Sequence, residues 1–417
     1  MYKKLLEEKL LQLKQEGHYR YFLEVNKSVQ HFPHFYYTNV QGEQRAAVNW
    51  CSNDYLCMST HEAVIGKLSH TTYKSGTGSG GTRNISGTTI YHRELEATLS
   101  AWHGKEAALL FNGAYQANVT TLQTLARNIN DLVFFSDQEN HASIIEGMRG
   151  CKNKKFVFRH NDMAHLRDCL QSVPYHQPKI IVFESVYSMS GSIAPVQEIV
   201  QLAAEFNAMT YVDEVHAVGL YGKNGAGIFE REQLQEKIDI LNGTLSKAIG
   251  VFGGYITASK TIIDFVRSFG NGFIFTTSLP PAICSAARKS IELIQAGDRQ
   301  VLPQKVEQLR TALRQAGVEY RENPSHITIV PVPGAEHCRS VASRLLLEQG
   351  VYLQPINFPT VPRGEECLRI IITGRHQLKH IHHLAHSLKK IIHGDHQADR
   401  QGIQALAFAD GAGETEN

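Results

Sequence analysis

From about residue 107 to 258 the chain alternates short apolar runs with amphipathic stretches, and few folds accept that pattern. The runs are Ala107–Phe111, Leu132–Ser136, Lys155–Arg159, Ile180–Ser185, Thr210–Val215, Ile238–Leu241 and Gly254–Ala258. Several are apolar at consecutive positions and rich in Val, Ile and Phe, as strands covered on both faces must be. Helix-like stretches of roughly ten to fifteen residues separate the first five. The alternation predicts an α/β fold whose large domain holds a mostly parallel seven-stranded sheet.

The flanks read differently. Leucines at 5, 6, 10, 11 and 13 among Lys and Glu predict a helix over 2–16, with Gly17 as its stop. An irregular segment containing Arg20 follows to about residue 50. Beyond 290 the expected elements are a helix over 301–316, an extended run at His326–Val332, a helix over 339–349, an extended piece Val351–Ile356, a strand near Leu368–Ile372 and a helix over 376–392. These give an N-terminal helix and arm (1–55), a large domain (56–290), a smaller C-terminal α+β domain (291–395) and a polar, Gly-rich disordered tail (396–417).

Composition excludes some classes of function. There are 42 basic and 40 acidic residues, a net charge of +2, too balanced to argue for nucleic acid or a membrane surface. The seven cysteines are scattered and form no C-x-x-C pair, which suits thiols in a cytoplasmic compartment. No apolar stretch reaches the roughly 18 residues of a membrane span. The opening Met1-Tyr-Lys-Lys-Leu-Leu-Glu-Glu-Lys9 resembles neither a signal nor a transit peptide.

The chemistry gathers around Lys247. Thr244 and Ser246 stand within three residues of it, with hydroxyls suited to a phosphate. The preceding candidate strand ends Tyr211-Val-Asp-Glu-Val-His216. In an open parallel sheet, ligands bind beyond the carboxyl ends of the strands. A carboxylate there, Asp213, would keep a pyridine nitrogen protonated, and a lysine would carry pyridoxal phosphate as a Schiff base. Taken singly, Asp213 reads as a strand cap and His216 as a core histidine; together with the lysine they point to the cofactor. Phe111-Asn-Gly-Ala-Tyr115 turns from strand into helix, where backbone N–H groups suit a phosphate. His141 opens a helix at another strand end and could stack on a flat ring. Arg369 offers a fork for a carboxylate, or is a surface arginine.

Two further features invite a site. The run Ser75-Gly-Thr-Gly-Ser-Gly-Gly-Thr-Arg83-Asn-Ile-Ser-Gly87 matches neither the P-loop nor the complete dinucleotide fingerprint, and reads as a tightly turning segment near a ligand. His376, His380, His382, His383 and His386 have partial metal-ligand spacing but no zincin glutamate, so no metal is expected.

Several strings in the right order carry a family resemblance. They are Trp50-Cys-Ser-Asn-Asp-Tyr-Leu56, Gly80-Gly-Thr-Arg-Asn-Ile-Ser-Gly-Thr88, Asn140-His-Ala-Ser143, Phe158-Arg-His-Asn-Asp162, Val212-Asp-Glu-Val-His-Ala-Val-Gly-Leu-Tyr-Gly222, Gly272-Phe-Ile-Phe-Thr-Thr-Ser-Leu-Pro-Pro281 and Pro359-Thr-Val-Pro-Arg-Gly-Glu-Glu366. Over about residues 16–392 the chain resembles the α-oxoamine synthases. These fold-type I pyridoxal phosphate enzymes join an amino acid to an acyl-CoA with loss of CO2. Among them it is most similar to the branch that forms 5-aminolevulinate, a tetrapyrrole precursor, from glycine and succinyl-CoA.

The resemblance implies roles. Lys247 holds the cofactor and moves protons at the glycine α-carbon. Asp213 pairs with the pyridine nitrogen. His216 and Ser188 contact the phenolic side, and His141 stacks on the ring. Ala114, Tyr115 and Thr244 receive the phosphate, joined across a homodimer interface by Thr276 and Thr277. Arg369 with Asn53 holds the glycine carboxylate. Ser136, Lys155 and Thr360 lie on the acyl-CoA side. Arg20, with Thr82, Asn84 and Ile85, reads the distal carboxylate of succinyl-CoA. Ser246 stands where these synthases usually carry Gly, Ser190 where an acid is common, and Ile370-Ile-Ile-Thr-Gly374 replaces a proline-containing stretch. The competing readings are a synthase using another acyl-CoA, such as a glycine C-acetyltransferase, and a catalytically silent subunit.

Overall fold

The computed structural model describes residues 1–16, 18–20, 22–39, 41–297 and 300–394. The expected helix stop at Gly17 and the tail 396–417 lie outside the described residues. The chain divides into two compact units. One comprises residues 53–188 and 192–300; the other comprises residues 1–52, 189–191 and those from 301 onward.

The larger unit is built on a seven-stranded sheet. Its order is Ala107–Phe111, Gly254–Ala258, Ile240–Thr244, Met209–Asp213, Lys179–Glu184, Val133–Asp137 and Lys155–Phe158. Gly254–Ala258 runs antiparallel to both neighbours, and every other adjacent pair is parallel. The consecutive apolar residues Ile180, Ile181, Val182 and Phe183 are all 0% exposed, which explains why this strand lacks the alternation of a half-exposed one. Each such side chain contributes about 1.5–3 kcal/mol by leaving water. The helix Ala114–Asn128 lays Ala117, Leu122 and Leu125 into the same core as Phe134 and Tyr211.

Register aligns the strand ends. Glu184 is level with Asp213, Asp213 with Asn242, and Gly254 with both Thr244 and Phe111. The carboxyl ends of the parallel strands therefore share one edge, and each is followed by a segment that carries chemistry.

The smaller unit holds two sheets. Asn26–Lys27, His34–Thr38 and Gln44–Asn49 form antiparallel strands where the sequence suggests only an irregular arm, and Val351–Tyr352 adds parallel to the last of them. These strands are short and half-exposed, so no long apolar run announces them. Thr328–Pro331, Cys367–Ile370 and Pro355–Ile356 form the second sheet. The expected single extended piece Val351–Ile356 is thus two strands in different sheets. The boundary expected after residue 290 falls inside the helix Pro281–Ala296, which packs on Glu62–Ser75 in the larger unit. Small residues, Ala282, Cys284, Ala286 and Ala287, are among those the helix buries, so it shows only a weak hydrophobic stripe.

Among the C-terminal histidines, His376 is buried, stacks on Trp50 at 4.0 Å and has Nε2 3.1 Å from the Asn49 carbonyl. His380 closes the N-terminal cap of the helix Leu378–His393. Among the described residues, no helix is long and apolar enough to cross a membrane.

Candidate active site

Lys247 follows the strand Ile240–Thr244, and its Nζ lies 2.9 Å from Nε2 of His216. Nδ1 of His216 lies 2.7 Å from Oη of Tyr55, which also donates to Oδ1 of Asn53 at 3.2 Å. Tyr55 is fully buried. The lysine amine is therefore addressed by an imidazole whose far side is held by a rigid phenol.

Asp213 ends the next strand and is 2% exposed. Its Oδ2 accepts from Asn118 Nδ2 at 2.7 Å and from Asn242 Nδ2 at 3.1 Å. Its Oδ1 accepts from the Val215 amide at 3.0 Å. Three N–H donors suit a group that only accepts, and a carboxylate oxygen has lone pairs left for a further donor.

His141 caps the helix Ala142–Arg149, and Nδ1 accepts from the Ser143 amide at 3.2 Å. Its own amide donates to Oε1 of Glu184 at 2.6 Å. Burial lowers the proton affinity of the imidazole; Asp213 opposes that and Lys247 reinforces it. Burial also holds the Glu184 carboxyl well above its ordinary range, with the Asp213 charge adding to the effect. Tyr115 meets the His141 ring edge-on at 6.3 Å.

The helix Ala114–Asn128 begins without a side-chain cap. Its first amides thus face the same edge with the helix dipole behind them, a setting suited to phosphate. Gly254 makes the approach possible: a Cβ there would stand 2.2 Å from the Ala114 nitrogen. Because Gly254 pairs with Thr244, it sets the helix start beside the Thr244 hydroxyl, which lies 2.9 Å from Ser246 Oγ.

Other expected residues stand as follows. Ser188 is buried just beyond the strand Lys179–Glu184. Thr276 Oγ1 accepts from Gln116 at 3.0 Å, and the Thr277 carbonyl accepts from Asn112 at 3.0 Å. Thr277 also bridges to Thr82 in the glycine-rich segment. Thr82 donates to Asn84 at 2.6 Å, while Ile85 is 80% exposed. In this segment a Cβ on Gly87 would stand 2.2 Å from the Gly81 carbonyl, so the turn requires glycine. Ser136 and Lys155 stand on Val133–Asp137 and Lys155–Phe158, the last two strands in the sheet order. Ser136 is buried, accepting from Asn140 and donating to the Asp137 carbonyl. Lys155 opens the edge strand at its amino end, its amine on the Cys151 carbonyl at 2.7 Å. In the smaller unit, Arg20 donates to Thr360 Oγ1 at 3.4 Å, and both line a cavity of about 1270 Å³. Arg369 is buried on the strand Cys367–Ile370.

A model of class I and II aminotransferases matches residues 45–388. The chain is 46% identical over 394 residues to 5-aminolevulinate synthase of Paracoccus denitrificans, covering 94% of this chain and 96% of that one. It is 46% identical over 391 residues to 5-aminolevulinate synthase of Rhodobacter capsulatus, covering 93% and 96%. This chain belongs to the class I and II aminotransferase family, among the 5-aminolevulinate synthases. Of solved structures, serine palmitoyltransferase from S. paucimobilis, with a bound PLP–myriocin aldimine, matches with a TM-score of 0.83 and 29% identity over 93% of this chain and 96% of that one.

The residues present fit the pyridoxal phosphate of such a synthase. An uncapped helix start that only a glycine lets approach, an amine beside an imidazole, and a buried carboxylate fed by N–H donors match phosphate, aldehyde and pyridine in turn. Sequence reasoning missed Tyr55, Asn118, Asn242 and Glu184. Tyr55 lies inside the string Trp50–Leu56 and Asn118 one turn beyond the phosphate turn, but nothing in their spacing points inward.

Proposed function

We propose that this chain is a pyridoxal-phosphate-dependent 5-aminolevulinate synthase, condensing glycine with succinyl-CoA and releasing CoA and CO2. The observation that carries the proposal is the convergence of Lys247, His216 and Asp213 at one sheet edge beside an uncapped helix start. The cofactor supplies an electron sink for the glycine α-carbon. The protein does the rest by orientation and proton transfer.

Lys247 anchors the cofactor and moves the proton at the α-carbon. His216 orients the lysine amine, and Tyr55 holds the His216 ring. Asp213 would pair with the pyridine nitrogen, His141 would stack on the ring, and Ser188 would contact the phenolic side. The amides of Ala114 and Tyr115, with Thr244, would hold the phosphate.

On the resemblance, Arg369 and Asn53 are assigned to the glycine carboxylate. Arg20, with Thr360, is assigned to the distal carboxylate of succinyl-CoA. A dicarboxylic acyl group offers the Arg20 fork a second carboxylate to hold, whereas acetyl offers none. Ser136 and Lys155 keep an acyl-CoA assignment on resemblance alone.

The enzyme acts as a homodimer in this reading. Ile85 and Phe275, 80% and 77% exposed, flank Thr82 and Thr276. Large exposed apolar side chains beside binding residues favour cover by a second copy, which would bring Thr276 and Thr277 to the partner's phosphate. All seven cysteines are free thiols, consistent with the cytoplasm.

The test is a panel of acyl-CoAs with glycine, following CoA release and identifying the aminoketone. Succinyl-CoA is expected to react best and to yield 5-aminolevulinate. Preference for acetyl-CoA would move the chain to a glycine C-acetyltransferase. Absence of turnover together with no borohydride-fixed lysine adduct would make it a silent subunit.

A further inference from the structure

One buried side chain ties together the two groups assigned to the cofactor ring. Asn118 is 1% exposed. Its Nδ2 donates to Oδ2 of Asp213 at 2.7 Å and to Oγ of Ser143 at 2.9 Å. Its Oδ1 accepts from Oη of Tyr211 at 2.7 Å. Both amide hydrogens are used, and the Tyr211 hydroxyl determines which way the amide faces. Tyr211 and Asp213 are two apart on one strand, so they share a face and meet the same amide.

The chain of bonds continues. Ser143 Oγ lies 2.7 Å from Nδ1 of His141. A serine hydroxyl has one hydrogen. Since Ser143 accepts from Asn118, its own hydrogen is available to Nδ1. The Ser143 amide donates to the same nitrogen at 3.2 Å. Two donors on Nδ1 make it an acceptor and leave the ring proton on Nε2.

We propose that Asn118 is a positioning residue: through Ser143 it fixes the tautomer and set of His141, and it holds Asp213 in the same network, so the ring-facing imidazole and the pyridine-facing carboxylate move as one unit. The proposal rests on the pyridoxal phosphate reading. It concerns no group that touches substrate.

The test uses holoenzyme. Asn118→Leu keeps the branched outline and removes every side-chain hydrogen bond; Ser143→Ala cuts the link to His141 alone. Each protein is titrated by absorbance of the Lys247-bound cofactor against pH, and the dissociation constant of pyridoxal phosphate is measured beside the melting temperature. Asn118→Leu is expected to displace the titration midpoint by about half a pH unit or more and to weaken cofactor binding about tenfold. Ser143→Ala is expected to produce part of that displacement, and the double variant no more than Asn118→Leu alone. If Asn118→Leu does not fold, Tyr211→Phe, which frees the amide to turn, replaces it with the same expectation. Folded variants with wild-type midpoints and cofactor affinities would overturn the proposal, as would strictly additive displacements. Wild-type protein without cofactor absorbance or a borohydride-fixed adduct would instead overturn the cofactor reading, and this proposal with it.

Discussion

Nζ of Lys247 lies 2.9 Å from Nε2 of His216. The two residues are 31 apart in the chain and come from the ends of adjacent parallel strands, so the pair exists only because the strands are in register. Replacing Lys247 by Ala removes both the anchor and the proton carrier. Turnover should fall by at least about 10³-fold, and borohydride treatment should leave no cofactor mass on the protein.

Tyr55→Phe deletes the hydroxyl 2.7 Å from His216 Nδ1 while keeping the ring. Losing one buried hydrogen bond of this kind costs about 1–2 kcal/mol, so turnover should drop roughly tenfold. The pH–rate profile should shift as well, because the imidazole beside Lys247 loses a partner. An unchanged profile in a folded variant would remove Tyr55 from this role.

Glu214 gives a stability prediction. Burial pushes its carboxyl up to about 7, against an ordinary 4.5, even though it accepts from the Ile228 and Phe229 amides and from Ser185. A carboxyl raised in the folded state contributes stability that is fully present below pH 4.5. That contribution declines as pH rises and is gone above about pH 7. The loss across this window is at most roughly 3 kcal/mol. Denaturant titrations of Glu214→Gln at pH 5 and pH 7.5 should show a smaller difference in stability than the wild type does.

Arg20→Ala should raise the KM for succinyl-CoA about ten- to a hundredfold, with a much smaller effect on the KM for glycine. Initial rates against each substrate decide it. Full succinyl-CoA activity in the variant would end the assignment of Arg20.

Gly254→Ala places a methyl group 2.2 Å from the Ala114 nitrogen. Strand and helix start must separate, so cofactor affinity should fall more than tenfold and the melting temperature by several degrees. Equilibrium dialysis with pyridoxal phosphate and thermal melts give the two readings.

The sheet was legible before any coordinates because a strand covered on both faces must be apolar at consecutive positions. The seven runs each overlap a strand, with ends moved by up to three residues, as at Val133–Asp137 and Ile240–Thr244. The strands of the N-terminal arm were not legible. His34–Thr38 buries only Phe35 and Tyr37, and Asn26–Lys27 buries nothing. Nor was the membership of residues 1–52, which share a unit with residues from 301 onward, since long-range packing has no local sequence period.

The amino-acid sequence by itself determined the α/β class, the lysine and the carboxylate, because apolar periodicity and residue chemistry are local properties. The tertiary structure decided what those groups touch. Asn118 stands 95 residues before Asp213 and 93 before Tyr211, yet its amide meets both at 2.7 Å. Tyr55 reaches His216 across 161 residues. Hydrogen bonds act over about 3 Å whatever the chain between them, so only the packing of the strands and helices could bring these partners to the lysine.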